Sequence, residues 1–183
     1  MPRLKPLATR DDVPESARPI FDEIASSRGD GVSGPTTFMM YSPEAALHSA
    51  RMVNYLRDHS TLKPAEAELA ILTSARSTNS AYIWAAHVRN GLAKGVRPEA
   101  IAVIDARGPL DSLTTDERLI VQFGRELMLG DEVTDETFNA VHQRWGEQGL
   151  IELLSLMARY VLTAYVLKAV DLRPAPDAAK LSM

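Results

Sequence analysis

The residue types able to move protons or hold anions concentrate between positions 66 and 91. Glu66, Glu68 and Arg76 fall on one stretch, and Ser80, Tyr82, Ile83, Trp84, His87 and Arg89 on the next. Ser80, Ile83 or Trp84, His87 and Gly91 recur at three- and four-residue intervals, which is the spacing of one helix face. His87 stands between Ala86 and Val88 in Ala-rich surroundings. Its imidazole is therefore expected to be at least partly buried and to need a partner on a ring nitrogen, for which a carboxylate of the preceding helix is suited. Two antiparallel helices joined by a short turn would bring Glu68 to His87. A carboxylate that fixes the tautomer of an imidazole is the arrangement needed for general acid/base catalysis. Glu68 and His87 are thus the candidate catalytic pair. Arg76 and Arg89 are candidate carboxylate anchors, and Ser80, Tyr82, Ile83 and Trp84 candidate walls of a largely apolar substrate pocket.

A structural reading competes with this one. A lone His on a small-residue face is commonly a satisfied core group, Tyr82 and Trp84 are ordinary core residues, and Arg76 suits the negative end of a helix. His48, His59 and His142 lack the spacing of a metal site, so no metal ligands are assigned.

Composition narrows the classes further. The 183 residues carry 20 Lys+Arg against 24 Asp+Glu, a net charge of -4 without a basic cluster, which leaves no footprint for nucleic acid. The absence of Cys excludes disulfide scaffolds, zinc fingers, iron–sulfur centres and thiol chemistry. No signal-like run opens the chain, and the apolar stretches 69–72 and 160–167 fall short of the roughly 18–20 residues that span a membrane. A cytoplasmic protein without membrane or nucleic-acid partners is the expectation.

The elements that must position the pair read as helices throughout. The chain divides into an N-terminal arm over 1–13, a helical domain over 14–173 and a tail over 174–183. Helices are predicted from Pro14 (capped by Asp12), near Ser42-Pro43, from Pro64 with help from Thr61, over Ser80–Lys94, over Pro98–Ala106, and from Thr114/Thr115 to a stop at Gly130. Ser26 to Pro35, with three Gly and one Pro, reads as a loop. Thr134 opens a helix stopped by Gly146 and Gly149, and a last helix runs from about Leu150 to Val170. That helix is apolar on most sides, as expected of one buried in a bundle or at a subunit interface. Nothing alternates with period two, so the class is all-α, a bundle of six or seven helices.

These residues resemble the carboxymuconolactone decarboxylase family, which includes the alkylhydroperoxidase D-like proteins. The resemblance rests on Glu68, the Tyr82-x-Trp84-x-x-His87 segment, and Gly91, Ala93 and Gly95. Flanking matches, such as Ser42-Pro43 and Val133 to Phe138, extend it over most of the chain. Two positions depart from it. Ser80 and Ile83 stand where the peroxidase-like branch has its Cys pair, so thiol peroxidase chemistry is excluded. Ile83 also stands where cysteine-free relatives carry Glu.

The resemblance implies a cofactor-free lyase of the carboxymuconolactone decarboxylase type, acting on a small carboxylated or conjugated organic acid or lactone, with His87 as general acid/base. It also implies a homo-oligomer, a trimer or hexamer. The alternative is a non-catalytic member that binds a small ligand, or serves as a structural member of an oligomer, with His87 structural.

Overall fold

A computed structural model describes residues 2–27 and 31–182, so positions 28–30 of the expected Ser26–Pro35 loop lie outside the described residues. Its organising element is a helix with no exposed side. Eight α-helices are present among the described residues, and no strand: α1 Arg18–Ser26, α2 Thr36–Met39, α3 Pro43–Asp58, α4 Pro64–Ser77, α5 Ala81–Ala93, α6 Pro98–Ala106, α7 Thr115–Leu129 and α8 Asp135–Val170. Every residue of α4 from Glu66 to Arg76 is buried, because α3, α5, α6, α7 and α8 all pack against it. A helix enclosed on all sides must satisfy its own polar groups. Thr73 and Ser74 do so by donating back to the carbonyls of Leu69 and Ala70, at 2.8 and 2.9 Å.

The helix starts follow from the sequence signals. Proline opens α3, α4 and α6, where its missing N–H costs nothing. Thr114 accepts from the Glu117 amide and Glu117 accepts from the Thr114 amide, a reciprocal cap on α7. Thr61, however, is not what caps α4. The Glu66 carboxylate accepts the Lys63 amide at 2.8 Å, while Thr61 donates both its amide and its hydroxyl to Glu152. Asp12 likewise caps the turn at Thr9 and pairs with Lys5, and the first helix begins later, through a 3₁₀ turn at Glu15–Ala17.

Two apolar groups of side chains hold the helices. The larger surrounds α4. The smaller joins Leu7 and Val13 of the arm and Phe21 and Ile24 of α1 to Ala46, Leu47 and Ala50 of α3. The arm therefore packs on its own chain, with the Leu7 amide donating to Thr37 O and Tyr41 donating to Lys5 O.

The last two predicted helices lie end to end and meet at a kink. Gly146, at φ +68°, breaks the helical path within α8, while Gly149 continues the helix and touches Trp145. By length and composition α8 could cross a membrane, but 56% of its apolar window is buried in the bundle. Its other side leaves Ile151, Leu162 and Tyr165 exposed.

Two predictions follow from this packing. Glu152 is buried in α8 and accepts from Tyr55 Oη at 2.5 Å, the Thr61 amide and hydroxyl at 2.8 and 2.6 Å, and Gln148 at 3.0 Å. Burial pushes its carboxyl up, but these donors outweigh it and hold the pKa down to about 2, below the ordinary 4.5. The stability this contributes is complete above about 4.5 and is lost as pH falls toward about 2. Denaturant titrations of Glu152→Gln should therefore show a shallower loss of stability over that window than the unsubstituted chain; identical slopes would contradict the assignment.

A Cβ on Gly124 of α7 would lie 2.7 Å from Thr73 Cγ2 and 3.0 Å from Met157 Cε. Gly124→Val should cost about 1–3 kcal/mol by overpacking the contact of α7 with α4 and α8, read as a lower urea midpoint at unchanged slope.

Candidate functional site

A tight reversal between α4 and α5 sets the site. Asn79 takes a left-handed conformation (φ +51°), the Ser80 amide reaches back to Ala75 O at 2.8 Å, and Ser80 becomes the first capping residue of α5. The two helices then run back along each other. Glu68 of α4 meets His87 of α5, with Oε2 2.6 Å from Nδ1. Glu68 has no exposed surface, and His87 is 7% exposed.

Glu68 is shared among cations. Its second oxygen accepts from Lys94 Nζ at 3.0 Å and lies 3.8 Å from an Arg57 nitrogen of α3. Burial pushes the Glu68 carboxyl up, but the bonds and charges of His87 and Lys94 outweigh it and hold it below the ordinary carboxylate value. An ionised carboxylate has only acceptors, so Nδ1 must carry the proton and donate it to Glu68. That leaves Nε2 as the ring nitrogen able to exchange a proton with a ligand. The imidazole is braced edge-on by Tyr160 of α8, with ring centroids 5.0 Å apart at 86°.

His87 lies on the wall of a cavity of about 600 Å³ enclosed by α3, α5, α8 and the segment 33–36. Of the residues picked out in the sequence, Tyr82, Ile83, His87 and Arg89 line it. Ser80 sits at the head of α5 and Trp84 is buried in the core around α4; neither is on the wall. Arg76 points to the other side of α4, where it donates to Asp105 O at 2.7 Å and Asn79 Oδ1 at 2.7 Å. The structure therefore does not bring Arg76, Ser80 or Trp84 to the cavity. Gly34, at φ +55°, lets segment 33–36 close on Tyr82: a Cβ there would stand 3.0 Å from the phenol oxygen.

The walls are also more polar than expected. Arg57, Asn54 and Asp58 come from α3, Arg89 and Asn90 from α5, and Arg159 and Thr163 from α8. Arg159 is buried, donating to Ser49 O at 3.4 Å and bonded to Thr163 Oγ1. The Arg57 Nε is buried with no hydrogen-bond partner among the described residues. Arg57, Arg159 and Tyr160 escape a reading of the sequence because they lie on α3 and α8, whose periodicity announces packing alone. The signal that could have found Arg159 is a charge inside the apolar run 150–170. Among the described residues no group of three or more His, Asp or Glu could hold a metal.

Comparison with known proteins agrees with this architecture. Residues 43–112, which include Arg57, Glu68, His87, Arg89 and Lys94, match the model of the carboxymuconolactone decarboxylase family. No curated protein matches the chain. Among solved structures it is similar to the alkylhydroperoxidase AhpD core of Ralstonia eutropha JMP134, an uncharacterized peroxidase-related protein. The identity is 15%, with a TM-score of 0.73 over 96% of this chain and 93% of that one, a likeness of fold. Residues 43–112 thus resemble the carboxymuconolactone decarboxylase family, and the helices take the alkylhydroperoxidase D-like fold.

Proposed function

We propose that the protein is a cofactor-free lyase that decarboxylates a small, conjugated organic acid or lactone, with His87 as general acid/base and Glu68 orienting it. One observation carries the reading: His87, bonded at 2.6 Å to the buried Glu68, lines a cavity whose wall also includes Arg57, Arg89 and Arg159. Guanidiniums suit carboxylates and enolates, for which their forked N–H groups are matched.

In the proposed step the bond from the substrate to its carboxylate breaks and CO2 leaves. The electron pair flows into the conjugated carbonyl, and the resulting dienolate carbon takes a proton from His87 Nε2. The ionised Glu68 stabilises the imidazolium that supplies this proton. The guanidiniums accelerate the reaction only if they hold the oxygen on which charge grows, rather than the carboxylate that departs. The departing group then belongs against Ile83, the apolar part of the wall, where a localised charge is poorly solvated. The absence of Cys removes a thiolate route to peroxide turnover.

A second reading has its own support. Glu68 is already shared by His87, Lys94 and Arg57, as a purely structural ion cluster would be. On that reading the cavity binds a small acid without turnover.

The deciding experiment screens lactone and muconate-like acids for CO2 release or loss of conjugated absorbance. His87→Gln should lower the rate by about 10²–10⁴ with the fold retained, and Glu68→Gln should lower it less. Arg89→Gln, at an exposed position, should raise KM more than it lowers kcat. Full turnover by a folded His87→Gln protein would overturn the catalytic role. A loss of melting temperature with no turnover of any acid would favour the binding reading.

Assembly into a trimer or hexamer is part of the same proposal, supported by the exposed Ile151, Leu162 and Tyr165 on α8. Light scattering should give at least three chains, and Leu162→Glu should lower that number; a monomer at micromolar concentration would overturn it.

A further inference from the structure

A second cluster of arginines lies across α4 from the His87 cavity. Arg76 of α4, Arg107 just past α6 and Arg125 of α7 surround one small depression, with Ser77 at its edge. Among the described residues, every hydrogen bond these guanidiniums make goes to a neutral oxygen. Arg76 donates to Asp105 O and Asn79 Oδ1, Arg107 to Arg76 O and Asn79 Oδ1 at 3.3 Å each, and Arg125 to Gly108 O and Val103 O at 2.9 and 3.4 Å.

None of the three has a carboxylate within ion-pair distance among the described residues. Arg10, Arg51, Arg97, Arg144 and Arg173 each have one. Asp105 is near enough to act on Arg76 by charge, yet its carboxylate oxygens accept from the Ser182 amide and hydroxyl at 2.9 and 2.7 Å. Burial, then the charge of Arg107, lowers the pKa of both Arg76 and Arg125, although Asp105 acts on Arg76 in the other direction.

Capping explains part of the cluster, since the accepting carbonyls lie at the C-terminal ends of α4 and α6, where cations are favoured. Two such ends carry roughly one negative charge between them, against three guanidiniums. The bonds to carbonyls also hold the forks in place, so a ligand finds them already oriented. Arg107, itself exposed and in the left-handed region at φ +51°, donates only through Nη2 among the described residues, and its other N–H groups are placed to meet a ligand.

We propose that Arg76, Arg107 and Arg125 form an oxyanion site that takes a phosphate group, free or as part of a small phosphomonoester, on the face opposite the His87 cavity. The depression itself measures about 10 Å³, room for about one water. The phosphate therefore sits at its mouth, with any attached group outside. Forked guanidiniums match its oxygens in pairs.

The test is calorimetric titration of the full chain with inorganic phosphate and with phenyl phosphate, at constant ionic strength. Arg107→Gln should weaken phosphate binding by roughly tenfold or more. Arg89→Gln, which alters the other cavity, should leave this binding in place. Whichever of the two anions binds more tightly identifies the source, and either order supports the site.

Amide chemical shifts of the unsubstituted chain give an arm that needs no variant. Phosphate should perturb residues 76–79 and 103–108. No saturable binding at millimolar phosphate, equal binding by Arg107→Gln, or perturbation confined to the His87 cavity would each overturn the proposal.

Discussion

A carboxylate with no exposed surface is the constraint from which the site follows. Glu68 lies on a helix wrapped on all sides, and a buried charge without partners would be expelled or neutralised. The fold answers with His87 from α5, Lys94 from just beyond it and Arg57 from α3. Three elements must therefore reach one pair of oxygens. That requirement ties the turn at Asn79 to the position of α3, and both to the wall of the cavity. It also explains why a protein of ordinary net charge places so many cations around one space.

The two arginine groups show how the same side chain serves different surroundings. On the cavity side Arg57 and Arg159 stand beside Glu68 and the hydroxyl of Thr163, so their charge is partly answered within the protein. On the far side of α4, Arg76, Arg107 and Arg125 face carbonyls alone. Helix α4 separates the two groups and carries Glu66, Glu68 and Arg76 along its buried length. The local fields on its two sides differ because of what packs there.

Most of the helical framework was legible in the sequence. Pro43, Pro64 and Pro98, the Thr114–Glu117 pair and Gly130 act through their own backbone chemistry, so local reading places them correctly. The Glu68–His87 contact was legible too, because a short turn forces adjacent helices to run back on each other. Most of what escaped depends on distant segments. Thr61 and Tyr55 are committed to Glu152, some ninety residues on, which no window around α4 contains. Asp12 was drawn to Lys5 and Thr9, and Arg76 to the carbonyl of Asp105. The polar lining came from α3 and α8, whose apolar spacing conceals single charges placed on a third face. The break at Gly146 and the helix that follows it to Val170 were legible too.

The enclosure of α4 has a consequence for motion. A helix that every neighbour covers can expose its amides only when those neighbours leave, so its opening coincides with loss of the whole structure. Glu68 shares that fate, and His87 is bonded to it. Arg89, by contrast, is exposed on α5, and residues 33–35 meet the cavity from the turn that precedes α2. Glu68 and His87 thus belong to the part of the molecule that opens last. Local opening elsewhere on the surface leaves the 2.6 Å contact between them intact.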